Sequence, residues 1–174
     1  MPALAGSATA IGRENPVTVM IMKWLLFSGR GGATTAGDLG LLVLRLTGLM
    51  LALGHGLEKI PPPPIFLTNV EKMGLPAPHA LAWLAALCEF SGGVLMALGL
   101  FTRLGAVMVI AVMLTALTKV HLHDPTFATG PAAKEPALLY LLPAVALLFT
   151  GSGRFGIDAL LRRRGAESSI TAGL

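Results

Sequence analysis

Four stretches of the chain, Leu39 to Leu57, Ala80 to Leu100, Leu104 to Val120 and Pro136 to Thr150, are almost wholly apolar. Each approaches the ~20 residues that an α-helix needs to cross a bilayer. This block length constrains the fold most, because in hydrocarbon every backbone N–H and C=O must find its partner inside the protein, and a helix supplies those partners within its own segment. Of the 174 residues 54% are hydrophobic and only 13% charged, too few charges to clothe a soluble domain of this size. The exterior must face lipid. Cys88 is the single cysteine, so an intramolecular disulfide is impossible, and no CxxC or Cys/His cluster offers a redox or zinc site. Any redox role would need a borrowed cofactor. The formal charge of +4 does not indicate nucleic acid, because the basic residues collect beside the apolar blocks, notably Arg162, Arg163 and Arg164.

The punctuation between the blocks places their ends. Asp38 is the predicted N-cap of the first span, and the four prolines Pro61 to Pro64 end it. Residues 65 to 79 form a loop with a short surface helix over Phe66 to Met73, and Pro76 and Pro78 mark the entry to the second span. Thr102 and Arg103 make a turn so tight that the second and third spans must be antiparallel neighbours. His121 to Glu135 is a polar connection. The fourth stretch is short and carries Pro143, so it needs a thinned bilayer or an extension into Phe155. Before the first span, Val17 to Phe27 is an apolar run of 11 residues interrupted by Lys23, too short to cross. It reads as a signal peptide, as an interfacial amphipathic helix, or as the leader of a chain translated from Met20 or Met22; the last two fit better, since no small-x-small cleavage pattern follows. Gly29 to Gly37 is a linker by composition.

Three units result: residues 1–37 as a flexible or interfacial N-terminal extension, 38–161 as a transmembrane domain, and 162–174 as a basic, disordered tail. The fold class is all-α, an integral membrane four-helix bundle with antiparallel neighbours. Segments on one side of it hold eight basic residues, Arg13, Lys23, Arg30, Arg103, Arg154 and Arg162 to Arg164, against four on the other, Lys59, Lys72, Lys119 and Lys134. By the positive-inside rule both termini are cytoplasmic.

An ionisable side chain within a span costs a few kcal/mol unless paired or hydrated, which makes such positions the informative ones. At ~100° per residue Arg45, Gly48, Ala52, His55, Gly56 and Lys59 share one sector of the first helix. On the second helix Glu89 shares a face with Ala82, Ala85, Ala86, Gly92, Gly93 and Met96, a strip of small residues that permits close helix contact. A lone buried carboxylate is neutralised, whereas one facing a cation stays ionised, so Arg45 and Glu89 are predicted to lie near each other, directly or through polar intermediates. Two readings follow. The pair is a structural device that fixes helix register, or the polar faces of Arg45, His55, Glu58, Lys59 and Glu89 line a cavity. That cavity would open to an extracytoplasmic rim of Lys119, His121, His123 and Glu135, able to bind an anionic or quinone-like headgroup or to relay protons. His121-x-His123-Asp124 has imidazole and carboxylate ligands but no third fixed one, so no metal is assigned and the histidines read as solvated loop residues. Trp24, Trp83 and Tyr140 read as interface anchors, and Met50, Met96, Met108 and Met113 as core fillers.

Leu44-Arg45-Leu46, Gly54-His55-Gly56-Leu57-Glu58-Lys59, Met73-Gly74-Leu75-Pro76, Glu89-Phe90-Ser91-Gly92-Gly93 and Gly99-Leu100-Phe101-Thr102-Arg103-Leu104-Gly105-Ala106 occur in this order. His121, Glu135-Pro136 and Gly153-Arg154-Phe155-Gly156-Ile157-Asp158 continue the series. Together they resemble the DoxX family of small bacterial membrane proteins over residues 38 to 161. The family's Gly-Tyr-Glu-Tyr-Pro segment is here Ala132-Ala133-Lys134-Glu135-Pro136, without the aromatics. The resemblance implies a four-helix bundle in the bacterial cytoplasmic (inner) membrane, associated with membrane redox systems, a quinone-linked thiosulfate-oxidising complex among them. Thiosulfate chemistry does not transfer by family name. The leading expectation is a membrane subunit of a redox-related complex that contacts quinone. The alternatives are a small-molecule or proton pathway, or a non-catalytic interaction scaffold. No nucleophile with an adjacent base, cofactor motif or three-ligand metal set supports a stand-alone enzyme. The expected partners are the lipid bilayer, other membrane or redox proteins, and a second copy through the small-residue strips.

Overall fold

The computed structural model describes residues 15–26, 34–125 and 133–171. The expectations for 1–14, for Phe27 at the end of the apolar run, for residues 29–33 of the linker, for 126–132 and for the last three residues lie outside these. Seven α-helices are described: α1 (Pro16–Leu26), α2 (Thr35–Leu51), α3 (Pro64–Lys72), α4 (Pro78–Leu98), α5 (Thr102–Thr115), α6 (Glu135–Thr150) and α7 (Ile157–Thr171). Among the described residues there is no strand. Helices α2, α4, α5 and α6 form the bundle: α4 packs on both α2 and α5, and α6 closes the ring between α5 and α2. The core joins Leu41 and Leu51, Met96, Val109 and Met113, and Leu141 and Leu147. The outer surface stays apolar, with Val43, Met50, Leu84, Leu142 and Phe149 all exposed, as lipid contact requires.

Two of the bundle helices do not end where regular α-geometry ends. Ala52–Gly56 forms a wide π-type turn, closed by the Leu57 N–H donating to the Ala52 carbonyl, before a short 3-10 turn at Leu57–Lys59. Ala116–Val120 does the same beyond α5, where the His121 N–H donates to the Ala116 carbonyl at 2.9 Å. With these turns included, Thr35–Lys59, Pro78–Leu98 and Thr102–Val120 are each long and apolar enough to cross a membrane. Helix α6, with 16 residues, is the short member. It does not extend into Phe155, because Gly151 at φ 76° breaks it.

Thr34, not Asp38, caps α2: its side chain accepts from the Gly37 N–H at 3.1 Å. Asp38 lies one turn inside and buried, where its carboxylate accepts the Arg154 N–H at 2.9 Å. The earlier start extends the helix below the expected Leu39. The short surface helix forms as α3, with Pro64 in its first turn, where a missing N–H costs nothing. The apolar run after residue 15 forms α1, which docks on α5. Arg103 holds it there, stacked 4.1 Å from the Trp24 ring and donating to the Trp24 carbonyl at 2.9 Å. Beyond Asp158 the backbone is helical to Thr171, through the basic run expected to be unstructured.

Glycines set the helix spacing. A Cβ on Gly93 would lie 2.5 Å from the Gly48 carbonyl oxygen, and one on Gly48 would lie 2.6 Å from that of Gly93. Gly92 and Gly105 make the same reciprocal approach between α4 and α5. Two adjacent glycines thus let α4 touch a backbone on either side, the close packing that small residues allow in lipid. Gly93→Ala is expected to lower stability in detergent by about 1–3 kcal/mol, since backbone must move to admit the methyl. Gly40→Ala, which meets nothing within 4 Å, should be neutral or stabilising on helix propensity alone. Thermal melts of the two variants check the contrast.

Candidate functional site

The buried face of α4 is Ala82, Ala86, Glu89, Gly92, Gly93 and Met96, nearly the strip expected. Arg45, Gly48, Ala52 and Gly56 of the α2 sector are buried as well, while His55 is exposed and packs edge-on against Tyr140 at 5.4 Å. The pairing differs from the expectation. Arg45 and Glu89 belong to two separate polar centres.

Arg45 is a helix cap. Helix α4 ends in a Schellman turn, with Leu100 N–H on the Leu95 carbonyl, Gly99 N–H on that of Met96, and Gly99 left-handed at φ 66°. The guanidinium lies against this turn, and a Cβ on Gly99 would be 2.7 Å from its central carbon. It donates to the Met96 carbonyl at 3.1 Å, to Ala97 at 2.7 Å and to Ser152 at 3.3 Å. A cation at the negative end of a helix dipole, bonded to otherwise orphaned carbonyls, is stabilising. Asp158 treats the start of α5 in the complementary way. It accepts from the Phe101 N–H at 2.7 Å, the Thr102 N–H at 3.1 Å and the Thr102 hydroxyl at 2.9 Å. Phe101 sits at φ 45°, a conformation that disfavours a side chain and persists because its surroundings fix it. The Gly99–Ala106 and Gly153–Asp158 motifs are therefore two halves of one knot. Sequence reasoning missed Asp158 as a cap, although it closes a motif that had been noted.

Glu89 pairs with Lys59 instead. The ammonium nitrogen lies 2.7 Å from both carboxylate oxygens, and the side chains are 26% (Lys59) and 3% (Glu89) exposed. The same nitrogen stands 5.0 Å from the centre of the Phe66 ring of α3. This pair borders a cavity of about 410 Å³ between α3, α4 and α5. Its walls are mostly apolar, with Phe66, Leu84, Ala85 and Val112 among them, and its polar groups include Lys59, Glu89, Asn69, Cys88, Thr115 and His121. Of the expected rim, His121 alone lines the cavity. Glu58, Lys119 and His123 are exposed, and the half-buried Glu135 opens α6. Phe66 and Asn69 were not foreseen; the helix predicted between two proline groups was the signal that something covers this end.

Apolar helices exposing large hydrophobic side chains, sealed inside by a buried ion pair and by helix caps, define an integral membrane bundle with a mostly apolar cavity that carries a few polar groups. The chain belongs to the DoxX family. A family model described as DoxX matches residues 40–122, a range that includes Arg45, Lys59, Glu89 and His121. The uncharacterized membrane protein Rv3486 of Mycobacterium tuberculosis is 30% identical over 138 residues, 74% of this chain and 85% of that protein. The protein named "Putative oxidoreductase CatD" of Bacillus subtilis is 27% identical over 135 residues, 78% of this chain and 96% of its own. No solved structure matches.

Proposed function

We propose that this chain is a subunit of a redox-related membrane complex and that its cavity holds the headgroup of a quinone-like molecule. The observation carrying this reading is a mostly apolar cavity of about 410 Å³ with a buried Lys59–Glu89 pair in its wall. That size lies within the usual range for small-molecule sites. A quinone ring is flat and apolar with carbonyl acceptors at its edge. Lys59 spends two donors on Glu89 and retains a third, and the Phe66 face stands beside it. A relative whose name carries oxidoreductase supports the redox context. Electrons would come from a partner subunit, since the sequence contains no redox motif of its own. Family membership and the apolar helical spans support a bacterial inner-membrane location, and the Lys and Arg distribution supports cytoplasmic termini with the cavity on the opposite side.

The test is titration of a short-tailed benzoquinone into the protein in lipid nanodiscs. Saturable binding is expected, weakened at least about tenfold in Lys59→Met/Glu89→Leu, which removes the polar wall without orphaning a charge. Ala85→Phe, which fills the cavity, should also abolish it, and Arg164→Gln, at an exposed position of α7, should not. Absent binding in the unaltered protein, or unchanged binding in both cavity variants, defeats the proposal.

A further inference from the structure

The cavity has a second polar element, at the turn beyond α5. His121 ends the wide turn, and its Nδ1 lies 2.8 Å from Oδ2 of Asp124, the two side chains being 22% and 29% exposed. The carboxylate fixes the ring's tautomer: Nδ1 carries hydrogen and donates to Asp124 whether the ring is neutral or charged. The other nitrogen, Nε2, has no hydrogen-bond partner among the described residues, and His121 lines the cavity. With one nitrogen pinned, titration of the imidazole changes a single thing. Nε2 is an acceptor when the ring is neutral and a donor when it is charged.

We propose that the His121–Asp124 pair is the specificity element of this cavity, selecting between the hydroxyl-bearing, quinol-like form of its occupant and the carbonyl-bearing, quinone-like form. The proposal rests on the quinone reading above. A quinol hydroxyl donates to neutral Nε2, and a quinone carbonyl accepts from protonated Nε2. No covalent or electron-transfer step is involved. The surrounding charges leave this role to His121. Lys59 and Glu89, which line the same cavity, neutralise one another, and among the described residues Cys88 is the only titratable group besides these and His121 that lines it. Helix α3 contributes Asn69 but no charge. Lys119 on the same turn is exposed, and Lys134 and Glu135 at the start of α6 do not line the cavity. His55 and His123 are exposed and do not line it either.

The experiment measures affinities of a short-tailed benzoquinone and of its quinol, kept reduced under anaerobic conditions, for the full chain in nanodiscs. It runs from about pH 5.5 to about pH 8.5, the range in which imidazole titrates. The ratio of quinol to quinone dissociation constants should rise about tenfold on going to the acidic end, the worth of one hydrogen bond gained or lost. In His121→Gln the ratio should be flat. In Asp124→Asn the difference between the two forms should shrink, because a side-chain amide can donate to Nδ1 as well as accept from it and no longer fixes which ring nitrogen carries the hydrogen. A flat ratio in the unaltered protein, a slope surviving in His121→Gln, or an undiminished slope in Asp124→Asn overturns this inference while leaving quinone binding intact. Failure of both forms to bind at every pH overturns it together with the reading beneath it.

Discussion

Lys59→Met is expected to destabilise the bundle by about 3–5 kcal/mol, and Lys59→Met/Glu89→Leu to recover most of that loss. The asymmetry follows from burial. Glu89 is 3% exposed and is held on both oxygens by one ammonium group, so removing the lysine leaves a carboxylate with its compensating charge gone. Breaking a buried pair from one side costs this much, whereas replacing both members by apolar residues of similar volume is often neutral. The lower end of the range applies, because Lys59 is 26% exposed and water can reach the vacated position. Denaturation in mixed detergent micelles, read by far-UV circular dichroism, measures all three proteins. Equal losses in the single and double variants would mean that the pair contributes through shape rather than charge.

Asp158→Ala should be comparably damaging, by about 2–4 kcal/mol. Three hydrogen bonds meet on a carboxylate that is 1% exposed. A helix cap alone is worth ~1 kcal/mol, and each buried donor left unpaired adds ~1–3 kcal/mol before relaxation. Phe101 would also lose the contact that keeps it in a left-handed conformation. Asp158→Asn should be milder, since the amide oxygen can still accept from one or two of these donors. Hydrogen exchange at the amides of Phe101 and Thr102 separates local fraying of α5 from global loss. Protection unchanged in Asp158→Ala would show that the cap holds nothing.

The spans, their antiparallel order and the buried faces of α2 and α4 were legible in the sequence because each rests on a periodicity. Hydropathy locates a span, and ~100° per residue gives the direction in which each side chain points. The partner of Glu89 was not legible, for a related reason. A helical wheel fixes azimuth but not height. Counted from the ends of their helices, Arg45 and Glu89 stand level; in the fold α2 extends below α4, because its first turns pack on the segment that follows α6, with Asp38 and Leu41 beside Gly153. That overhang, together with the crossing of Gly48 on Gly93, lowers Arg45 to Met96 and Ala97 and delivers Lys59 to Glu89. Neither the overhang nor the glycine contact follows from one helix read alone. The cavity was foreseen only as a polar rim. Its apolar walls come from three helices at once, and of the residues expected around its mouth only His121 turns inward.

The wide turns at Ala52–Gly56 and Ala116–Val120 precede two polar groups that line the same hollow, Lys59 three residues on and His121 directly. Each such turn accommodates one residue more than a regular coil would, so the residues beyond it are rotated by about a third of a circle relative to an uninterrupted α-helix. Spacing between ammonium and imidazole is thereby governed by segment length, independently of which side chains are present. A lineage could re-aim either group by dropping a single codon there, with the lipid-facing scaffold left untouched.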